Sequence, residues 1–501
     1  MNIKRAKEEL KDTVAAYLMK NELGEYEIPA IRQRPVLLIG APGIGKTQIM
    51  EQIARECQIG LVSYTITHHT RQSAIGLPFI SKKNFGGKEY TVTEYTMSEI
   101  VASIYEKMEE TGLKEGILFL DEVNCVSETL APAMLQFLQC KTFGNHAIPE
   151  GWIIAAAGNP PEYNKSVREF DVVTMDRVKK IEVEPDFTVW KEYAYKEQIH
   201  PAILSYLNTK PRYFYQMETT VDGRRFATPR GWEDLSKLLF VYEKLGKRPD
   251  REVVIQYIQH PKIAKDFANY LELFEKYRMD EQINGIFSGN LDEALIKKVS
   301  HASFDERLGV VGIVLSRCIE EFRQYDRMEQ VITLVFETLK SMKEGLLGRQ
   351  SSRPFGYLRE ELAKLHREWE RKQKADLLTR EERHTYHDAL ALLEEYQRSI
   401  GQEERTGEAV FGLLSESFAK DRENLEERGQ RALQALEYAF DFMEAAFGDS
   451  QEMVIFLTEL NSSYYSIRFL QEWECERYYR YNEHLLFEEG NRRILEKLDR
   501  L

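Results

Sequence analysis

The run Gly40-Ala41-Pro42-Gly43-Ile44-Gly45-Lys46-Thr47 satisfies the pattern Gly-x-x-x-x-Gly-Lys-Ser/Thr. Its glycines let successive backbone N–H groups turn inward. The helix that follows adds the positive end of its dipole, and the two together can cradle a polyphosphate. Lys46 would reach the β- and γ-phosphates, and the Thr47 hydroxyl would hold Mg²⁺. About 75 residues further on stands Gly116-Ile-Leu-Phe-Leu-Asp121-Glu122, an apolar run ending in two acids. Asp121 would support the Mg²⁺ shell, and Glu122 would orient and polarise an attacking water. A third run, Gly151-Trp-Ile-Ile-Ala-Ala-Ala-Gly158-Asn159-Pro160, ends at an amide. Asn159 either positions that water between Glu122 and the γ-phosphate or is an ordinary turn residue.

These side chains need strands to carry them. Pro35–Ile39 reads as a buried strand and Gln48–Cys57 as a helix, the strand–loop–helix context that a phosphate loop requires. Pro160-Pro161 cannot continue a central strand, which places Asn159 at a strand's C-terminal edge. Ligands of open α/β sheets bind at that edge. Leu61–Thr67 reads as a further strand and Val178–Val183 as the last one of the core. Between them His68–Pro78 is a loop, in which the adjacent His68 and His69 cannot share a helical face as an i, i+4 metal pair would. Phe79–Thr93 reads as a hairpin turning at Gly86-Gly87.

In this order and spacing the chain resembles the AAA+ ATPases, and among them the MoxR-like group. The resemblance covers roughly residues 30–240 and rests on Gly40–Thr47, Leu118-Phe-Leu-Asp-Glu-Val-Asn124, Ala157-Gly-Asn-Pro160, Met175-Asp-Arg177-Val and Thr228-Pro-Arg230. It implies an α/β P-loop NTPase (AAA+) core over residues 1–185 and a small helical lid over 186–275; residues 276–501 lie outside it and read from their own periodicity as a mainly α-helical C-terminal extension. The resemblance implies ATP and Mg²⁺ as cofactors. It carries the sensor-1 role to Asn159, the arginine-finger role to Arg177 and the sensor-2 role to Arg230. A guanidinium suits the charge that spreads over a γ-phosphoryl group in transfer, although either arginine could instead form a surface ion pair. The expected catalytic set is thus Lys46, Glu122, Asn159 and Arg177, with Arg230 joining Gly40–Thr47 in nucleotide binding. The implied activity is Mg·ATP hydrolysis in a ring, a hexamer, that remodels or activates a protein partner as a chaperone does. In the group such partners often carry a von Willebrand factor A (VWA) domain.

Two features depart from the family. Cys125 stands where MoxR-like chains usually carry an Arg after Asp-Glu-x-Asn, and Lys141–Glu150 leaves room only for a small hairpin where the family has one facing the pore. The Phe79–Thr93 hairpin resembles the clade's helix-2 insert, which points to pore and substrate; a plain surface hairpin reads equally well.

Composition bounds the alternatives. At 501 residues, 43% hydrophobic and 11% aromatic, the chain suits two to four folded domains. Five scattered cysteines without a Cys-x-x-Cys pair read as free thiols of a reducing compartment. The N-terminus lacks a signal-peptide apolar region and no run approaches a membrane span, so a cytoplasmic protein with no membrane partner is expected. Residues 276–501 carry 33 basic and 44 acidic side chains against 35 and 38 in the rest. That acidity disfavours nucleic acid as a partner, because binding it relies on Lys and Arg meeting phosphates. It fits a protein partner or a merely solvated helical surface. Two other classes remain open beside the remodelling enzyme: a nucleic-acid-dependent AAA+ motor, and an ATP-bound scaffold or switch with little turnover.

The C-terminal half shows helical periodicity. Leu308–Phe322 and Met328–Met342 read as separate amphipathic helices, Gly345–Gly356 as a break, and Leu358–Lys374, Arg380–Ile400, Ala409–Phe447 and Met453–Phe487 as longer, interrupted ones. An antiparallel bundle or projecting hairpin is expected. Tyr464, Tyr465, Trp473, Tyr478, Tyr479 and Tyr481 could serve an interface or the bundle core. His384 and His387 read as part of a solvated face rather than as a metal pair.

Overall fold

The computed structural model describes residues 1–68, 70–143, 146–163, 167, 170–221, 223–278, 281–347, 354–400 and 406–483. They form two compact units. One comprises residues 1–189 and 367–383; the other comprises 190–366 and the described residues from 384 onward.

In chain order the first unit contains α1 (Ile3–Leu18), β1 (Val36–Gly40), α2 (Lys46–Cys57), β2 (Gly60–Thr65), α3 (Arg71–Ile75), β3 (Pro78–Phe85), β4 (Lys88–Tyr95) and α4 (Glu99–Thr111). It continues with β5 (Gly116–Asp121), α5 (Ala131–Cys140), β6 (Thr142–Phe143), β7 (His146–Ala147), β8 (Trp152–Gly158), α6 (Val172–Met175) and β9 (Lys179–Val183). Five strands make one parallel sheet in the order β2-β5-β8-β1-β9. β5 and β8 are apolar along nearly their whole length because helices cover both faces of a parallel sheet. The register sets Ile39 beside Gly158 and Leu120 beside Ala156, so β1, β8 and β5 end level with one another. One core packs under this sheet around Leu118, Ile154, Phe137 and Trp152. The α/β core expected from the sequence is present.

The β3–β4 hairpin pairs Phe85 with Lys88 across Gly86-Gly87, where the sequence sets its turn. The small hairpin in Lys141–Glu150 is β6–β7, pairing Thr142 with Ala147; its tip, residues 144–145, lies outside the described residues, as does His69. α1 went unread in the sequence. Its Lys7 and Lys11 meet Glu56 of α2 at 2.5 and 2.7 Å, and its Glu9 meets Lys179 of β9 at 2.6 Å. It therefore clasps the outer strand to the P-loop helix.

The second unit begins within α7 (Phe187–Lys196) and continues through α8 (Pro201–Thr209), a β10–β11 hairpin (Gln216–Thr220, Gly223–Ala227), α9 (Pro229–Lys244), α10 (Arg251–Tyr257) and α11 (Pro261–Arg278). Tyr206 and Trp232 pack edge-on around Phe267 at 5.1 and 5.3 Å. This aromatic group ties α8, α9 and α11 together, with His200 Nε2 donating to the Glu243 carboxylate at 2.7 Å while its Nδ1 accepts from Ala202 N. Then follow α12 (Glu281–Ile286), α13 (Glu293–Ser300), α14 (Phe304–Leu347), α15 (Pro354–Lys374), α16 (Arg380–Ile400), α17 (Gly407–Phe447), α18 (Gln451–Ser462) and α19 (Tyr464–Glu472).

The mainly helical C-terminal region is present, with one correction. Leu308–Phe322 and Met328–Met342 are parts of a single helix, α14. The polar stretch between them stays helical because its side chains find partners. Arg323 and Gln324 bond Glu320, Tyr325 donates to Glu472 at 2.9 Å, and Asp326 pairs with Arg468 at 2.8 Å. α14 and α17 run antiparallel, since Glu321 meets Arg428 and the Phe336 ring lies 5.8 Å from that of Phe418. Leu358, Leu393 and Leu414 close a four-helix core with Val335. Met453–Phe487 breaks at Ser463, whose hydroxyl caps α19, and residues 484–487 lie outside the described residues, as do 348–353 of the expected break. Tyr465 is buried and Trp473 stacks on Phe469, while Tyr464 and Tyr479 are exposed. His384 and His387 lie on the exposed side of α16. Among the described residues no helix is long and apolar enough to cross a membrane.

Lys141 ends α5 in the left-handed conformation, φ 56°, with its amide donating to Phe137 O at 2.8 Å. Burial lowers its amine from 10.5 to about 8. Between those values the folded chain binds fewer protons than the unfolded one. Stability therefore rises with pH through that window, and the cost of the buried charge is fully present below about pH 8. Lys141→Met should stabilise the fold at pH 7 by about 1–3 kcal/mol. The gain should fade between about pH 8 and 10.5. Urea unfolding across that range checks it; a pH-independent gain would rule out the buried charge as its source.

Candidate functional site

β1 delivers the chain to α2 through a loop that turns at two glycines. Gly43 and Gly45 hold φ of 76° and 93°, and Gly45 stands as the residue preceding the first turn of α2. A Cβ on Gly40 would lie 2.5 Å from Val183 O of β9, so β1 ends in direct backbone contact with its neighbour. Ala41 and Ile44 are buried, which anchors the loop, while Pro42 and Gly43 stand at its rim.

Lys46 is only 8% exposed. Its ammonium donates to Gly40 O and Ala41 O at 2.8 Å each and to Asn159 Oδ1 at 3.1 Å. A buried cation is tolerable only when its donors are satisfied, and these three acceptors come from the ends of two adjacent strands. Thr47 Oγ1 donates to Asp121 Oδ2 at 2.9 Å, and the other carboxylate oxygen accepts from Glu122 N at 2.8 Å. Asp121 thus faces both the P-loop helix and the turn that follows β5.

That turn is tight. Glu122 adopts φ 55°, a left-handed conformation that a β-carbon disfavours. Val123 N then donates to Ala157 O at 2.9 Å, and Cys125 N to Glu122 O at 2.9 Å. The Glu122 carboxylate accepts from Thr67 Oγ1 at 3.1 Å. A non-glycine residue held in this region is the kind of strain that clusters at functional sites.

Five residues singled out in the sequence are therefore brought to one sheet edge and joined pairwise: Lys46 with Asn159, Thr47 with Asp121, and Glu122 onto Asp121. Arg177 stands apart from that network. It is exposed just beyond α6, and its guanidinium donates to the Gln139 side chain on α5. Nearby Asp171 caps α6 by accepting from Thr174 N at 2.7 Å. The Thr174 bonds, aided by the Arg177 charge, hold its carboxyl below the usual range. Arg230 belongs to the second unit. It is exposed on the first turn of α9, whose start is set by Pro229 and by Thr228 accepting from Gly231 N at 3.2 Å.

Two residues were given no role in the sequence. The strand expected over Leu61–Thr67 ends at Thr65, and Thr67 stands in the 3-10 turn that follows it, from which its hydroxyl reaches Glu122. Asn124 is the Asn of Asp-Glu-x-Asn, and its side-chain amide bonds the backbone of Asn159. The signal for both is a polar residue two or three positions past a strand's C-terminal end, at the edge where the other site residues converge.

The donor set fits Mg·ATP. Thr47 Oγ1 and an Asp121 oxygen are hard ligands 2.9 Å apart, suited to a Mg²⁺ that otherwise keeps water and phosphate oxygens. The glycine loop at the α2 N-terminus, with the Lys46 ammonium inside it, suits a polyphosphate.

Residues 36–175 match the family model described as ATPase family associated with various cellular activities (AAA). This stretch is an AAA ATPase family domain. No curated protein matches the chain's sequence at a significant level. Among solved structures, three mutant forms of RuvB from Thermotoga maritima are each 16% identical at a TM-score of 0.29. They cover 50%, 52% and 60% of this chain and 69%, 69% and 75% of theirs. At that TM-score the likeness carries no conclusion about this chain.

The left-handed Glu122 yields a test. Glu122→Gly and Glu122→Ala both lose the carboxylate, yet only Ala keeps the β-carbon at φ 55°. The Gly variant should be the more stable of the two by about 1 kcal/mol in denaturant unfolding. An Ala variant at least as stable would mean that the turn relaxes without cost.

Proposed function

We propose that this AAA family domain binds and hydrolyses Mg·ATP, and that the chain works as a MoxR-like ring, a hexamer, that remodels or activates a protein partner. The observation that carries the reading is the hydrogen-bonded constellation at the ends of β1, β5 and β8. It combines a buried lysine in a glycine loop, a hydroxyl–carboxylate pair for a divalent cation, and a second carboxylate beside an amide.

Each residue has a distinct task. Gly40 to Gly45 present the loop's N–H groups to the phosphates, and Lys46 offsets β/γ charge. Thr47 and Asp121 hold the Mg²⁺ shell, and bound Mg²⁺ neutralises charge developing on the phosphates. Glu122 orients and polarises the attacking water, and Asn159 positions that water between Glu122 and the γ-phosphate. The bond from Thr67 holds the Glu122 carboxylate at one rim of the site. Turning it inward exchanges that bond for one to water.

Arg177 acts on a neighbouring subunit's site. Two features support this: its exposed position outside its own constellation, and the exposed Val172 and Val173 beside it, 83% and 55% accessible. Arg230 senses the γ-phosphate from the lid, residues 186–275. Residues 276–501 form the arm that engages the partner, for which the MoxR likeness implies a VWA-domain protein. The excess of acidic side chains on that arm supports a protein client over nucleic acid.

Glu122→Gln should keep ATP affinity within a few-fold and lower turnover by about 10²-fold or more, the range for losing a positioned base. Undiminished steady-state phosphate release by the variant would remove Glu122 from the reaction. In a second experiment, Arg177→Ala and Glu122→Gln chains are each nearly inactive alone. Mixed, they should regain part of the activity, since some interfaces then pair an intact Arg177 with an intact Glu122. An arginine finger contributes about 10³–10⁵ in rate, so rescue is readily seen. Its absence in a mixture shown to co-assemble would refute action in trans.

A further inference from the structure

Asn124 is 5% exposed, a buried amide in a turn. Its side chain makes a paired contact with the backbone of one residue: Nδ2 donates to Asn159 O at 2.8 Å, and Oδ1 accepts from Asn159 N at 3.3 Å. A neighbouring strand would make the same donor–acceptor exchange. β5 supplies that neighbour only as far as Leu120, which pairs with Ala156. Beyond it the chain turns at Glu122, Val123 N takes Ala157 O, and the Asn124 side chain takes both polar groups of Asn159. The ladder along this edge of β8 is thus carried past the end of β5 by one backbone amide and one side-chain amide. It stops at Pro160, which has no N–H to offer.

The fit is close on both sides. A Cβ on Gly158 would lie 2.6 Å from Asn124 Oδ1, so the amide occupies the space that a glycine leaves. Asn159, with its backbone so held, directs its own Oδ1 to Lys46 Nζ at 3.1 Å. The turn that carries Asn124 also carries Glu122, whose carbonyl accepts from Cys125 N at 2.9 Å.

We propose that Asn124 is a positioning residue: its carboxamide locks the backbone of Asn159 to the Glu122 turn, so that the water-fixing amide and the water-polarising carboxylate are held as one rigid piece. This rests on the ATP-hydrolysing reading above. Both polar groups of the Asn124 side chain are taken up by the Asn159 backbone, so it acts through Asn159. Only a carboxamide serves here. Asp at this position keeps the acceptor for Asn159 N but sets an oxygen against Asn159 O, and Ala leaves both groups unbonded in a buried place. A displacement of about 1 Å at a reacting centre costs on the order of 10²-fold in rate.

The experiment uses the full-length chain with Asn124→Ala, Asn124→Asp, Gly158→Ala, Asn159→Ala and the double variant Asn124→Ala/Asn159→Ala. The readouts are kcat and KM for ATP and residue-resolved hydrogen exchange. Asn124→Ala should lower kcat by roughly 10–100-fold while KM shifts less than about threefold. The double variant should be no slower than Asn159→Ala, because nothing remains to be aimed. Gly158→Ala, which pushes on the amide from the other side, should show the same kcat-weighted loss. Exchange at the Asn159 amide should quicken in Asn124→Ala, with Ala156 and Ala157 still protected. An equal kcat penalty in both backgrounds, or a lowered unfolding midpoint with kcat unchanged, would reduce Asn124 to a packing residue and overturn the proposal. Unchanged Asn159 protection overturns it too, and that arm stands whether or not the protein turns over ATP. Should the Ala variant fail to fold, the isosteric Asp variant carries the kcat and KM readouts alone, because it keeps the acceptor for Asn159 N, and an unchanged kcat in it overturns the proposal. Absence of Glu122-dependent turnover in the wild type, with Asn159 exchange responding as expected, sinks the ATPase reading and leaves the clamp itself intact.

Discussion

The burial of the Lys46 ammonium is the constraint on which the site is built. An ammonium placed at 8% exposure needs acceptors for its protons. Here they are two loop carbonyls and the Asn159 side chain. The carbonyls follow from local sequence, since any glycine loop of this type wraps its own lysine. Asn159 does not. It is 113 residues away and reaches Lys46 only because β8 lies directly beside β1 and ends level with it. The strand order and the satisfaction of one buried charge are therefore a single requirement.

The same requirement spreads outward. β5 must flank β8 for Asp121 to meet Thr47, and the turn after β5 must be tight enough for Val123 and Asn124 to close the upper edge of β8. The cost of that tightness is visible as the left-handed Glu122. Sites mounted on strand ends gain precision from the sheet beneath them, and here four adjacent strands (β5, β8, β1 and β9) all contact the loop or the carboxylates. α1 adds to this rigidity. It pins Glu56 at the far end of the P-loop helix and Lys179 in β9 with ion pairs on partly exposed side chains, each of modest worth.

The helical region obeys a different logic. Its long elements are held by side chains that meet far from their own position in the chain. Lys191 of α7 pairs with Glu459 of α18 at 2.8 Å in a nearly buried setting, where Tyr195 also donates to the same carboxylate. A pair of this kind contributes little net stability against an apolar replacement, yet losing one partner leaves the other charge stranded. What it fixes is the point at which α7 and α18 meet. The polar middle of α14 shows the consequence: Tyr325 and Asp326 look like a helix break until Glu472 and Arg468 are placed against them.

By itself the sequence determined the P-loop, the acidic strand end, the amide strand end, the helical character of the C-terminal half and the parallel α/β class. All of these are local patterns: a glycine spacing, an apolar run of strand length, a helical period. Tertiary structure alone decided which strand lies beside which, that Thr67 holds Glu122, that Asn124 bonds Asn159, that α14 is one helix rather than two, and that α1 braces the sheet. Arg177 and Arg230 show the boundary. Their motifs were legible, but whether a guanidinium serves a phosphate or an exposed amide such as Gln139 is set by what surrounds it, not by its neighbours in the chain. The physical reason is common to all of these cases: periodicity and turn chemistry act over a few residues, whereas the satisfaction of a buried donor or charge depends on partners that only the packed chain brings within about 3 Å.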